Sequence, residues 1–150
     1  MFAGSKDTTV HPSVMNDLHT YYQHFIGASN IKFVRNVPAE HAMPTDFFGN
    51  KCDFKGNPFI NNCRFDAAGE LLKFIYGPLN PKNTGGLDDR RFIEFDQSEF
   101  IGNPHQHSMA DTGLIYVPAS CANGQACRLH VVFHGCLQYP AFSQFERLRW

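Results

Sequence analysis

No stretch of this sequence is apolar for the roughly 20 residues that a membrane-spanning helix requires. Runs of like charge are absent too: 13 Lys and Arg stand against 14 Asp and Glu, a formal net charge of -1, with a sequence pI near 6.7. That balance offers no basic field for nucleic acid and no polybasic signal for an anionic bilayer, so neither is expected as a partner. Met1-Phe2-Ala3-Gly4 does not open a charged leader followed by an apolar stretch of signal-peptide length. Internal repeats and low-complexity tracts are missing, as is any Cys-x-x-Cys pair of the kind that builds zinc sites. Tryptophan occurs once, whereas Phe occurs 15 times. With 43% hydrophobic residues over 150 positions, the chain has enough apolar material for one domain core, or for a surface that meets an apolar substrate.

The five cysteines stand at Cys52, Cys63, Cys121, Cys127 and Cys136. The first four form two locally closed pairs. Cys52 and Cys63 bracket a segment rich in Gly, Asn and Pro, and Cys121 and Cys127 bracket Ala122-Asn123-Gly124-Gln125-Ala126, whose Asn-Gly step favours a turn. Two loop-closing disulfides of a secreted protein are expected, with reduced thiols of a cytosolic protein as the alternative. The absent leader, the odd cysteine and the end at Arg147-Leu148-Arg149-Trp150 lead to the expectation of a truncated sequence.

Met1-Phe2-Ala3 reads as the end of a strand, and Gly4 to Thr9 as the polar loop after it. A helix is expected from Pro12, with Val14, Leu18, Tyr21, Tyr22, Phe25 and Ile26 on one face and Gly27 as its stop. Ile31 to Asn36 alternates like a strand, and Pro38 ends it; Ala39 to Asp46 reads as a loop containing His41. Asp66 is placed to cap a second helix, Ala67 to Tyr76, burying Leu71, Leu72 and Ile75 and stopping at Gly77-Pro78. Loop-like Leu79 to Leu87 makes 79–90 the candidate joint within an otherwise single domain. Arg91–Gln97, Leu114–Val117 and Leu129–Phe133 read as strands, the last an unbroken apolar run suited to a buried central position.

Three constellations have chemical potential. Asp7 and His41 follow successive expected strands with a helix between, and loops at the carboxyl ends of such strands share one sheet edge. An acid there can hold one imidazole nitrogen so that the other takes a proton from a nucleophile; a helix-entry turn and a solvated histidine are the bland alternatives. His134-Gly135-Cys136 ends the expected buried strand, where a glycine turn can present amides to an oxyanion. His105-Gln106-His107 with Asp111 has metal-ligand residue types, but no third ligand is fixed in register, so no metal site is expected. Gly-x-Ser-x-Gly, the nucleophile elbow, is absent, since Gly4-Ser5-Lys6 lacks the second glycine. Cys136 with His41 and Asp7 would make a thiol hydrolase.

Together these segments resemble the extracellular polyhydroxybutyrate depolymerases that have a circularly permuted α/β-hydrolase catalytic domain. The blocks that carry the resemblance run along most of the chain: Gly4 to Val10, His41-Ala42-Met43-Pro44-Thr45-Asp46, Asp66-Ala67-Ala68-Gly69 with Ile75-Tyr76-Gly77, Asp111-Thr112-Gly113 with Tyr116-Val117-Pro118, and Leu129 to Gln138. In that family the serine comes first, then the acid, then the histidine, and the oxyanion strand last. The resemblance implies Asp7 as triad acid, His41 as general base, Cys136 as backbone-amide donor to the oxyanion hole, and a polyester polymer or oligomer as substrate. It further implies a secreted monomer needing no cofactor or metal, and a partner for Cys136 beyond Trp150. With no counterpart of the family's nucleophilic serine, the chain is expected to be inactive alone. A non-catalytic, polymer-binding scaffold module is the competing class.

Overall fold

The computed structural model describes residues 1–82, 85–86, 88–133 and 135, and these fall into two compact units, one over 1–82 with Gly135 and the other over 85–133. The first unit mixes helices with a small parallel sheet. Its chain begins with an extended segment that lies alongside residues 34–39: Ala3 N donates to Val34 O, Ser5 N to Val37 O and Lys6 N to Ala39 O. The offset between partners grows by one at each step, so the ladder slips. Consequently the strand expected over Ile31–Asn36 reduces to a single parallel bridge between Phe2 and Val34. Gly4 is needed at this crossing, because a Cβ there would stand 2.2 Å from Ala39 O.

Helix α1 spans Pro12–Gln23, with Pro12 in its first turn, where a missing N–H costs nothing. It ends before the expected stop at Gly27. His24 N and Phe25 N bond three residues back to Tyr21 O and Tyr22 O, which tightens and closes the last turn; Gly27 instead precedes a short 3-10 turn, Ala28–Asn30. None of the α1 residues is buried.

Strands β1 (Met43–Thr45), β2 (Asn50–Lys51) and β3 (Ile60–Asn62) form a parallel sheet in the order β1-β3-β2, with Met43 opposite Ile60 and Asn50 opposite Asn61. Its strand β1 occupies the end of the loop expected over Ala39–Asp46. Strands of two or three residues have no readable alternation, and Pro44 is tolerated because β1 is an edge. Ile60 and Asn61 are completely buried, joined in the interior by Ala3, Val37 and Ala39. The Cys52–Cys63 disulfide, with Cα atoms 4.7 Å apart, clips the ends of β2 and β3. Asn61 Nδ2 reinforces it by donating to Cys52 O at 3.0 Å and Phe54 O at 2.7 Å.

Helix α2 (Ala67–Tyr76) has the expected bounds: Asp66 accepts from Gly69 N, and Gly77 follows with φ 79°. It packs against β1, and Lys32 ties it to the preceding segment through Glu70 at 2.6 Å. Its expected burial is not observed, since Leu71, Phe74 and Ile75 are exposed.

In the second unit, β4 (Phe92–Asp96) and β5 (Thr112–Tyr116) pair antiparallel, Phe92 opposite Tyr116 and Asp96 opposite Thr112. Helix α3 (Ala119–Ala122) leads into the turn that the Cys121–Cys127 disulfide closes, Cα atoms 5.8 Å apart. Leu129–Phe133 is neither a strand nor buried: Leu129, Val131, Val132 and Phe133 are all exposed. An apolar run becomes a strand only beside a ladder partner, and no described strand pairs with it.

Candidate active site

Asp7 sits in the loop between the opening extended segment and α1, and His41 follows the second extended segment. Two bonds already described, Ser5 to Val37 and Lys6 to Ala39, bring the loops together. Asp7 Oδ1 then accepts from Thr9 N and Val10 N, both at 2.8 Å, the turn geometry an Asp-Thr-Thr sequence favours. The other oxygen, Oδ2, lies 2.9 Å from His41 Nδ1.

Burial of Asp7 pushes its carboxyl up, but hydrogen bonds from His41, Val10 and Thr9 and the charge of His41 outweigh it and hold the group below the ordinary carboxylate range. An ionised carboxylate only accepts, so the proton of the shared hydrogen bond resides on His41 Nδ1. In the neutral imidazole this tautomer leaves the Nε2 lone pair free to take a proton, and Nε2 has no hydrogen-bond partner among the described residues. The two side chains differ in access: Asp7 is 11% exposed and His41 41%. A fixed acid behind a reachable imidazole is the arrangement of an acid–base dyad.

Three neighbours of the dyad are not legible in the sequence. Phe59 sets its ring edge-on to His41, centroids 6.5 Å apart, from a backbone at φ 59°, a conformation L-residues rarely adopt. Glu40 is buried and accepts from Thr8 N at 2.9 Å and Thr8 Oγ1 at 2.7 Å. Beside Asp7 a cleft of about 520 Å³ opens, lined by Ser5, Lys6, Thr8, His11 and Asp53, with Lys6 paired to Asp53 at 3.0 Å. Phe59 touches His41, Glu40 touches Thr8 and Asp53 touches Lys6, each distant in sequence, and the one local signal is a Glu directly before the candidate histidine.

The remaining candidates separate. His105 Nε2 meets Asp111 Oδ2 at 3.0 Å, both well exposed; His107 shares the 3-10 turn Pro104–His107, and no three His, Cys, Asp or Glu converge among the described residues. Cys136, the expected amide donor, lies outside the described residues, as does His134.

None of the known protein-family models matches the chain. Individual proteins do. The chain is 49% identical over 151 residues to a poly(3-hydroxybutyrate) depolymerase of Delftia acidovorans, covering 99% of this chain and 30% of that protein. It is 46% identical over 142 residues to a polyhydroxybutyrate depolymerase of Talaromyces funiculosus, covering 92% of this chain and 41% of the other. Among solved structures, that of a PHB depolymerase from Penicillium funiculosum superposes with a TM-score of 0.85 at 44% identity, over 95% of this chain and 45% of that one. A PHB depolymerase with a serine-to-alanine substitution, complexed with a hydroxybutyrate trimer, matches with the same TM-score. The chain thus spans under half the length of these relatives. In sequence and in its α/β fold, the chain is similar to polyhydroxybutyrate depolymerases over more than nine-tenths of its own length.

Proposed function

We propose that this chain supplies the acid–base half of a serine-type carboxylic ester hydrolase that acts on polyesters of 3-hydroxybutyrate. The observation that carries this reading is the Asp7–His41 hydrogen bond at 2.9 Å, in a chain whose relatives are polyhydroxybutyrate depolymerases. Asp7 holds Nδ1–H and fixes the imidazole; Nε2 takes the proton of a serine hydroxyl as its oxygen attacks the ester carbonyl. His41 returns that proton to the departing alkoxide, and water then repeats the sequence on the acyl-enzyme. Cys136 contributes its backbone amide to the oxyanion hole. Because the 150 residues contain no Gly-x-Ser-x-Gly elbow, the serine is supplied by polypeptide beyond them, and the chain by itself does not turn over.

The order of the parts supports a circular permutation. An ordinary α/β-hydrolase places its oxyanion loop ahead of Ser, acid and histidine, whereas His134-Gly135-Cys136 follows both Asp7 and His41. On this reading the two units belong to one incomplete catalytic domain with its joint near 79–90. The two disulfides fit an oxidising, extracellular setting, the place where a polymer too large to enter a cell is met.

Two preparations test the proposal. The 150-residue chain alone hydrolyses no p-nitrophenyl butyrate, while a chimera in which it replaces the aligned stretch of the Delftia acidovorans enzyme clears a suspension of poly(3-hydroxybutyrate). Turnover by the chain alone that iodoacetamide abolishes would instead establish a thiol hydrolase and overturn the serine reading.

A further inference from the structure

The dyad residues have a second connection, one position removed from each. Thr8 follows Asp7 and Glu40 precedes His41, and it is these two neighbours that bond: Glu40 Oε1 accepts from both Thr8 N at 2.9 Å and Thr8 Oγ1 at 2.7 Å. Glu40 is only 6% exposed, and its own backbone N donates to Cys52 O at 3.0 Å, at the disulfide that anchors the sheet. A carboxylate buried this way costs several kcal/mol unless its oxygens are satisfied, so its position is one the surrounding donors hold.

We propose that Glu40 is a positioning residue for the acid–base pair, a strap that fixes the Asp7 loop to the His41 loop through Thr8; this rests on the esterase reading above. Without the strap, the Asp7 loop remains pinned upstream by Lys6 N on Ala39 O and by the turn bonds of Asp7 itself. The loop therefore persists, but Thr8, the residue next to Asp7, loses its tie to the His41 loop. Burial and the charge of Asp7 push the Glu40 carboxyl up; the donors from Thr8 and the His41 backbone overcome both and leave it below its ordinary range, consistent with an ionised acceptor at neutral pH. A displacement of about 1 Å at a reacting group can cost about 100-fold in rate, so a strap of this kind affects kcat more than KM.

The signature to read is the downfield proton resonance of His41 Nδ1–H, followed by NMR in the full chain, with H41A used to assign it. In E40A this resonance is lost or moves upfield while circular dichroism is unchanged. E40Q, which keeps an acceptor oxygen for Thr8, retains it, and T8V, which loses the hydroxyl but keeps the backbone donor, falls between wild type and E40A. In the Delftia chimera, E40A lowers kcat between 10- and 100-fold at nearly constant KM, and E40Q recovers most of the loss. An E40A resonance identical to wild type, or an E40Q variant no better than E40A, would overturn the strap. A wild-type chain lacking the resonance would overturn the dyad and the strap with it, whereas a wild-type resonance in a chimera whose activity ignores H41A would overturn the esterase reading alone.

Discussion

Asp7 and His41 stand 34 residues apart in sequence and 2.9 Å apart at Oδ2 and Nδ1. The intervening helix α1 returns the chain so that residues 34–39 run beside residues 1–6. The contact is therefore a product of topology, with local sequence contributing only the Asp7 turn.

Asp7 should make the stability of the chain sensitive to acid. Its folded-state carboxyl lies below its ordinary value near 3.8, so the contribution is complete above that pH and is lost as pH falls through the lower, folded value. D7N, which gives up charge-assisted hydrogen bonds, should cost about 1.5–3 kcal/mol at neutral pH and flatten the profile below about pH 4. Urea unfolding at a series of pH values checks both; equal slopes for wild type and D7N in the acid range would contradict the assignment.

Gly4 is expected to resist substitution although it is an ordinary loop residue by sequence. Its missing Cβ would lie 2.2 Å from Ala39 O and 2.9 Å from Ala39 C, both backbone atoms that cannot step aside. G4A should destabilise by about 1–3 kcal/mol and weaken the His41 Nδ1–H resonance, since the same crossing aligns the two loops. Chemical denaturation with parallel NMR measures the two effects.

How much of this could be read beforehand depends on whether a signal is local. Pro12 at a helix start, the Asp66 cap, the Gly77 stop and the two cysteine pairs are local, and the structure forms each of them. Strands β4 and β5 are also visible as apolar runs, displaced by a residue or two. The parallel sheet of β1, β2 and β3 is not, because strands this short acquire their identity from their neighbours. Burial misled most. The apolar face of α2 and the run Leu129–Phe133 suggested interior surface, yet Ile75 and Phe133 are exposed; periodicity identifies a face that can be covered without identifying what covers it. At the site, Asp7 and His41 were recognisable as residue types in order, whereas Glu40, Thr8 and Phe59 act through tertiary contacts.

The Asp66 cap offers a calibration away from the site. Its Oδ1 accepts from Gly69 N at 2.9 Å, so D66A should cost about 1 kcal/mol with the His41 resonance unchanged. A loss of that resonance in D66A would show that the first unit transmits any damage to the dyad, and would weaken the interpretation of G4A.

The Cys52–Cys63 bridge closes a sequence separation of 11, and Cys52 O is the acceptor for both Glu40 N and Asn61 Nδ2. Removing the bridge as C52A/C63A should lower stability by about 2–3 kcal/mol by loop-closure entropy. It should also loosen the His41 loop, seen as faster amide exchange at Glu40 and His41. The Cys121–Cys127 bridge serves the other unit, so C121A/C127A should leave those two amides unchanged.

Acid–base chemistry by Asp7 and His41 on an ester, as proposed, is decided in the Delftia acidovorans chimera by its kcat on a soluble 3-hydroxybutyrate oligomer. With the native 150-residue segment the chimera should turn over, and H41A and D7N should each lower kcat by about 10³- to 10⁴-fold without loss of folded protein. Folded H41A or D7N chimeras that keep kcat within a few-fold of the parent would contradict it.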